Sequence, residues 1–210
     1  EFQWGDAHHP GLSETNGDYD GRWLFINDMP NARIARIDLT TFETAEILGP
    51  LPNVSALHAG PYITPNSDYV FGASRFSIPM DDKHKKVENY ATDFDGVLAG
   101  VKVAKDTGKM ALAWQVKMPP MDFDKADSGK GQLEGWQFFT SYNTELANTK
   151  LEINASQHDQ DFITALNWKA AQKAVDEGKY TMVNGAKVID PAKTPGVVYF
   201  IPCPKSPHGV

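Results

Sequence analysis

The apolar residues of this chain come in short runs with a period of two, and that pattern excludes most folds. Arg33-Ile34-Ala35-Arg36-Ile37-Asp38-Leu39 alternates apolar and polar side chains, the pattern of a half-buried strand. Arg22-Trp23-Leu24-Phe25-Ile26-Asn27-Asp28 reads as a strand running into a turn, and Thr44 to Leu48 follows closely. The same grammar returns at Asp68 to Ser74, Val97 to Val103, Lys109 to Val116, Gln137 to Tyr142, Asp161 to Trp168 and Val197 to Pro202. Lys105-Asp106-Thr107-Gly108 suits a tight hairpin turn between two of these strands. A loose unit recurs about every 50 to 70 residues, and repeats of four short strands are the mark of a β-propeller. Trp168 to Gly178 has good helix formers and a glycine stop, so it reads as one short helical excursion. Lys125 to Gly135 is polar and glycine-rich and reads as a loop. The fold class is therefore all-β, a partial propeller.

Composition narrows the function. The chain has 210 residues, with Lys plus Arg 20 against Asp plus Glu 27, a net charge of −7. No basic stripe is present to neutralise phosphates, which argues against nucleic acid as a partner. Apolar runs are short, and a spanning helix needs roughly 20 apolar residues, so no membrane span is expected. Hydrophobic residues make up 41% of the chain, enough for a sizeable core. The single cysteine, Cys203, excludes a disulfide framework within the chain. The chain starts at Glu1 without Met or a signal peptide and stops at Gly209-Val210, and both ends read as cuts in a longer polypeptide.

Histidines carry the chemical signal. His8 and His9 are adjacent, after Asp6 and before Pro10; His58 precedes Ala59-Gly60-Pro61; His208 lies in Ser206-Pro207-His208-Gly209. These four sit beside Gly or Pro where strands meet turns. In a propeller such positions lie on one rim or on the innermost strands, so they can converge. Neutral imidazoles suit copper, zinc, iron and nickel. Taken singly, a histidine at a turn is more often a surface or hydrogen-bonded residue. The adjacent pair adds little on a regular strand, where neighbours point to opposite faces, unless the chain bends there. His84, among Lys83, Lys85 and Lys86, reads as a solvated residue, and His158, beside Asp159, suits a hard cation as well as copper. Asp6 and Glu14 are near enough in sequence to orient the paired imidazoles. Tyr142-Asn143-Thr144-Glu145 with Asp161 could form an oxygen-rich shell for Ca²⁺, or simply a solvated acidic face.

Asp6-Ala7-His8-His9-Pro10-Gly11, with Tyr19 to Asp28, Arg33 to Leu39, Leu57-His58, Tyr142 to Glu145 and Pro204 to Gly209, resembles nitrous-oxide reductase along the whole chain and in the same order. That resemblance implies a seven-bladed N-terminal propeller, of which about three to four blades are present here. Residues 1–210 are then a piece of that domain, with a C-terminal cupredoxin domain absent from this chain. The resemblance also implies a four-copper sulfide cluster held by seven histidines, and a two-copper electron-receiving centre in the missing domain. His8, His9, His58 and His208 match cluster ligands. Tyr142 and Glu145 match calcium ligands, with Asp161 as the third and Asp159 its rival, and Ser206 stands where the family often has Asn. The Ser-Pro-His-Gly-Val form resembles the Sec-exported branch.

The implied activity is two-electron, two-proton reduction of N₂O to N₂ and water in denitrification. The expected partners are N₂O, a cytochrome c or cupredoxin donor, and a second subunit in a homodimer; the expected location is the periplasm. A non-catalytic propeller that binds protein partners, its histidines merely structural, is the alternative. A propeller hydrolase or lyase with axial calcium is disfavoured by the histidine motifs. Expressed alone, the 210-residue piece is expected to be inactive and prone to aggregate, because open blades expose sheet edges and apolar faces. Size-exclusion chromatography with chemical unfolding checks this, and a soluble, cooperatively unfolding monomer would contradict it.

Overall fold

The computed structural model describes residues 5–80, 86–142 and 161–204. Twelve strands form three four-stranded antiparallel blades. The first contains β1 (Ala7–Thr15), β2 (Asp18–Asp28), β3 (Arg33–Asp38) and β4 (Glu43–Leu48). The second contains β5 (Leu57–Ile63), β6 (Tyr69–Ser74), β7 (Gly96–Val103) and β8 (Met110–Met118), with a short helix α1 (Tyr90–Asp93) before β7. The third contains β9 (Asp122–Ser128), β10 (Trp136–Tyr142), β11 (Phe162–Asn167) and, after an excursion, β14 (Val198–Pro202). The architecture is the expected partial β-propeller, with three blades among the described residues. Each blade opens on a strand that carries histidines or paired aspartates: β1 with His8 and His9, β5 with His58, β9 with Asp122 and Asp124.

Alternation explains the stacking. Along β2, Trp23 and Phe25 are buried, and with Ile34 they pack against Leu57, Val70 and Val101 of the second blade. The opposite side of that blade presents Phe71, Leu98 and Trp114 to Phe139 and Leu166 of the third. Two apolar layers therefore join three sheets. The first strands of successive blades, β1, β5 and β9, lie side by side. The outermost faces have no such cover here: Leu12 and Ile47 on the first blade, and Tyr199 and Ile201 on the third, are exposed.

Between β11 and β14 the chain leaves the third blade. Helix α2 (Trp168–Asp176) starts at the cap Asn167, whose side chain accepts from Ala170 N–H at 2.9 Å. Trp168, Ala171, Ala174 and Val175 make its buried face. The hairpin β12 (Thr181–Val183) and β13 (Ala186–Ile189) follows, and β13 pairs in parallel with β8, Val188 opposite Gln115. The edge of the second blade is thus covered by residues that follow three strands of the third. Asn53 ties the same corner, donating to Gln115 Oε1 at 2.8 Å and accepting from Asn184 Nδ2 at 2.9 Å.

One sequence expectation is corrected here. Lys125 to Ser128 is not loop but the second half of β9, paired to β10; only the stretch from Gly129 is irregular, with a 3₁₀ turn at Gly131–Leu133. The strand hides in sequence because polar residues alternate through it and Pro119-Pro120 precedes it. The hairpin turn before β8 forms as expected, with Gly108 at φ +70°.

Strand β5 carries a bulge between Ala59 and Tyr62. Gly60 sits there at φ +115°, and a Cβ on it would meet the Phe71 carbonyl oxygen at 2.3 Å. Gly60→Ala should therefore lower the stability of the full-length protein by about 2–4 kcal/mol, combining left-handed strain with overpacking. Gly178→Ala, where a Cβ meets nothing within 4 Å, should cost about 1 kcal/mol from backbone strain alone. Denaturant unfolding of the two variants checks the difference.

Candidate metal centre

The site starts from one irregularity in β1. Between the pairs Ala7↔Asp28 and Pro10↔Ile26, β1 spends one residue more than β2. The extra residue falls at His8-His9, opposite Asn27. A bulge puts two residues against one and breaks the alternation that would have sent the two imidazoles to opposite faces. Both backbone N–H groups donate to a single acceptor, Asn27 Oδ1, at 3.0 Å from His8 and 2.8 Å from His9. The bend that lets the adjacent pair converge is therefore a bulge at the histidines themselves.

The same Asn27 reaches the next blade. Its Nδ2 donates to the carbonyl of Leu57 at 2.6 Å and to that of His58 at 3.3 Å. Asn27 is 1% exposed. One buried amide thus fixes the pair on β1 against His58 on β5.

The three imidazoles meet. Ring centroids of His8 and His9 lie 4.5 Å apart, those of His8 and His58 4.8 Å, and those of His9 and His58 5.6 Å. One ring nitrogen from each lies within 4.8 Å of the others. His58 is buried, His9 is half-buried and His8 is exposed, so the group opens to solvent on one side. His58 Nε2 faces His8 Nε2 at 3.1 Å, and its Nδ1 lies 3.0 Å from Asp122 Oδ1. With Nδ1–H donating to that carboxylate, Nε2 presents its lone pair to the cluster.

β9 supplies the carboxylates. Asp122 and Asp124 alternate with Phe123, so both face the histidines while Phe123 is fully buried in the core. Asp124 Oδ1 lies 3.4 Å from His9 Nε2 and 3.7 Å from His58 Nε2. Arg75 Nε stands 3.8 Å from Asp122 Oδ2. Burial pushes the Asp122 carboxyl up, against the pull of His58. Burial, with His9 and His58 alongside, holds the His8 imidazole below its usual range. Burial also pushes the Tyr62 phenol, beside His9, up to about 12.

The sequence suggested that Asp6 and Glu14 orient the imidazoles; neither hydrogen-bonds one, and Asp6 reaches His8 only through its charge. Asp6 is exposed and gives its carbonyl to Met29 N–H. Glu14 lies further along β1, paired to Lys130 Nζ at 2.9 Å. Sequence reasoning missed Asn27, Asp122 and Asp124. The signal available was the Asp122-Phe123-Asp124 alternation, which places two carboxylates on one strand face.

Of the remaining sequence candidates, Asp161 is fully buried just before β11, and its carbonyl accepts from Cys203 N–H at 3.1 Å. Tyr142 ends β10. Glu145, His158, Asp159, His84, Ser206 and His208 lie outside the described residues.

A partial β-propeller whose inner strands gather three imidazoles, one anchored through its second nitrogen by a carboxylate, has a donor set that fits copper or zinc. No family model matches the chain. The nitrous-oxide reductase of Pseudomonas fluorescens is 34% identical and covers 100% of this chain, and that of Stutzerimonas stutzeri is 31% identical over 100%. That of Ralstonia nicotianae is 27% identical, again over 100% of the chain. The chain is related to the nitrous-oxide reductases along its whole length, and it spans about a third of the length of these relatives (32%, 32% and 33%). Among solved structures, the β-propeller domain of Myceliophteria thermophila Cps50 (Swd1) covers 78% of this chain, and this chain covers 35% of that one, at 11% identity and TM-score 0.41. The fold assignment rests on the blade pairing rather than on that likeness. No described helix is long and apolar enough to cross a membrane.

Asn27→Ala would leave two N–H groups and the facing carbonyls without their partner. At about 1–3 kcal/mol per unsatisfied buried group, the two N–H groups alone should cost about 2–6 kcal/mol, and the loss should weaken metal uptake by the metal-free protein. Denaturant unfolding together with copper titration checks it.

Proposed function

We propose that this chain is part of a nitrous-oxide reductase, carrying out N₂O + 2 e⁻ + 2 H⁺ → N₂ + H₂O, and that it supplies histidine ligands to the copper centre. One observation carries the reading: His8 and His9 from one blade meet His58 from the next, in a chain that aligns end to end with enzymes of that name. His208 is assigned as a fourth ligand, and the remaining ligands to sequence outside this chain. N₂O is a poor ligand and kinetically inert, which favours a multinuclear centre over one ion. His8, His9, His58 and His208 would hold a four-copper sulfide cluster, which when reduced would supply both electrons and polarise the leaving oxygen.

The chain's own residues hold and orient. Asp122 accepts from His58 Nδ1–H and so fixes the tautomer that offers Nε2. Asn27 sets the spacing between the two histidine-bearing strands. The lowered proton affinity of His8 favours the neutral imidazole that a metal requires. The deep burial of His58 keeps water from one side of the centre.

Further assignments belong to the same reading. Residues 1–210 are part of an N-terminal propeller, followed in the whole protein by a cupredoxin domain with the two-copper centre. Tyr142, Glu145 and Asp161 are assigned to a calcium ion; the full burial of Asp161 supports this, since a carboxylate taken from water requires a cation or several donors. The enzyme is placed in the periplasm as a homodimer that accepts electrons from a cytochrome c or cupredoxin.

His58→Ala in the full-length protein tests the reading. Copper content should fall and N₂O reduction should drop by at least about 100-fold, as for loss of an anchored ligand. Normal copper content and activity in this variant would refute the ligand assignment. A wild-type protein without copper or colour would leave the non-catalytic propeller standing instead.

A further inference from the structure

Arg75 reaches all three blades beside the histidine group. It follows β6 directly, and its backbone N–H donates to the Ala56 carbonyl at 2.8 Å. Ser74, the residue before it, stands opposite Leu57 across the β5–β6 ladder. The backbone of Arg75 is therefore tied to the strand end that carries His58. Its side chain crosses to the third blade, where Nε lies 3.8 Å from Asp122 Oδ2. Its Nη1 turns to the first blade and meets Met29 Sδ at 4.0 Å. Met29 is held there in turn, its carbonyl accepting from Leu57 N–H at 2.9 Å.

These contacts close a ring. His58 Nδ1 meets one oxygen of Asp122 at 3.0 Å, Arg75 faces the other, and the Arg75 backbone returns to the chain just before His58. The terminal torsion of an aspartate is broad when nothing holds it, and a carboxylate engaged at both oxygens loses that freedom. A carboxylate taken from water also needs a cation. The Asp122 side chain is only 12% exposed, and the neutral imidazole that a metal requires carries no charge. The guanidinium is a permanent cation, and it lies 5.4 Å from the Phe76 ring centroid, in cation–π contact. A lysine has a single nitrogen and could not face Asp122 and Met29 from two donors at once.

We propose that Arg75 is a positioning residue for the copper centre: it holds Asp122 in the orientation that accepts from His58 Nδ1–H, and so keeps His58 Nε2 free for metal. The inference rests on the reading of His58 as a copper ligand and adds the residue that sets how that ligand is presented. Arg75 acts through Asp122, and what it controls is which His58 nitrogen carries the proton. The device lies behind the ligand, so it serves a multinuclear centre without adding a donor to it.

The test uses full-length protein with ¹⁵N-labelled histidine. Nitrogen NMR of the metal-free form separates protonated from unprotonated ring nitrogens, and the difference from His58→Ala isolates the His58 signals. Wild type should show a single tautomer with Nδ1 protonated; Nε2 protonated instead would overturn the proposal without any variant of Arg75. Arg75→Met should show a mixture of the two tautomers and should hold copper at least about 10-fold more weakly against a Cu(I) chelator. Arg75→Lys should restore part of both. A role confined to stability would lower the denaturant midpoint and leave the tautomer unchanged, and that result overturns the proposal. So does a mixed tautomer with wild-type copper retention. Should Arg75→Met fail to fold, Arg75→Gln, uncharged on a similar stem, is read in the same way. Normal copper content in His58→Ala would refute the ligand reading instead, and the tautomer measurement, made without metal, does not depend on it.

Discussion

The buried side chain of Asn27 is the interaction on which the site depends. Each of its polar atoms serves two backbone groups, Oδ1 on β1 and Nδ2 on β5. A bulged strand leaves backbone donors without a ladder partner, and such groups are costly when buried. Asn27 satisfies them from the neighbouring strand, so the bulge is stable only where this amide sits. The same amide helps to fix the offset between the first two blades, together with Glu14 N–H donating to Ser67 Oγ at 2.7 Å and Met110 N–H donating to Glu46 Oε2 at 2.9 Å. Apolar layers tolerate small slips; hydrogen bonds at 2.6–3.0 Å do not. Ligand geometry is thereby set by a polar contact inside a mostly apolar joint.

Much of the fold was legible because blades are local. Alternation in Arg33–Asp38 and the turn at Gly108 are short-range signals, and the structure contains both. The helix was legible from composition and its glycine stop. What was not legible is what requires a partner far along the chain. β13 pairs with β8 in parallel across more than one intervening strand, and nothing near Val188 announces that register. β9 escaped because Asp122 and Asp124 face the histidines rather than solvent, so the usual equation of polar with exposed failed.

The site divided in the same way. His8, His9 and His58 stand out by type and context, and the structure brings these three together. Their supports do not stand out. Asn27 looks like the polar end of a strand before a turn, and its 1% exposure is visible only in three dimensions. Asp122 and Asp124 look like ordinary surface acids in a charged stretch. Asp6 and Glu14 were nearer to the pair in sequence, yet proximity along a strand is a poor guide where neighbouring strands are less than 5 Å apart.

The covering of β8 by β13 also constrains the order of assembly. The second blade has its four strands at β8, but its outer edge is covered only after the chain has passed through three strands of the third, made α2 and turned back. A chain emerging from the ribosome therefore cannot finish its blades one at a time. The outer edge of β8 stays open to solvent, or to a holding partner, until the later hairpin arrives. When β14 then returns to pair with β11, the third blade closes with its own excursion already committed to its neighbour. The two blades mature together, and an interruption of synthesis between Asn167 and Ala186 would leave the edge of β8 uncovered and the third blade without its last strand.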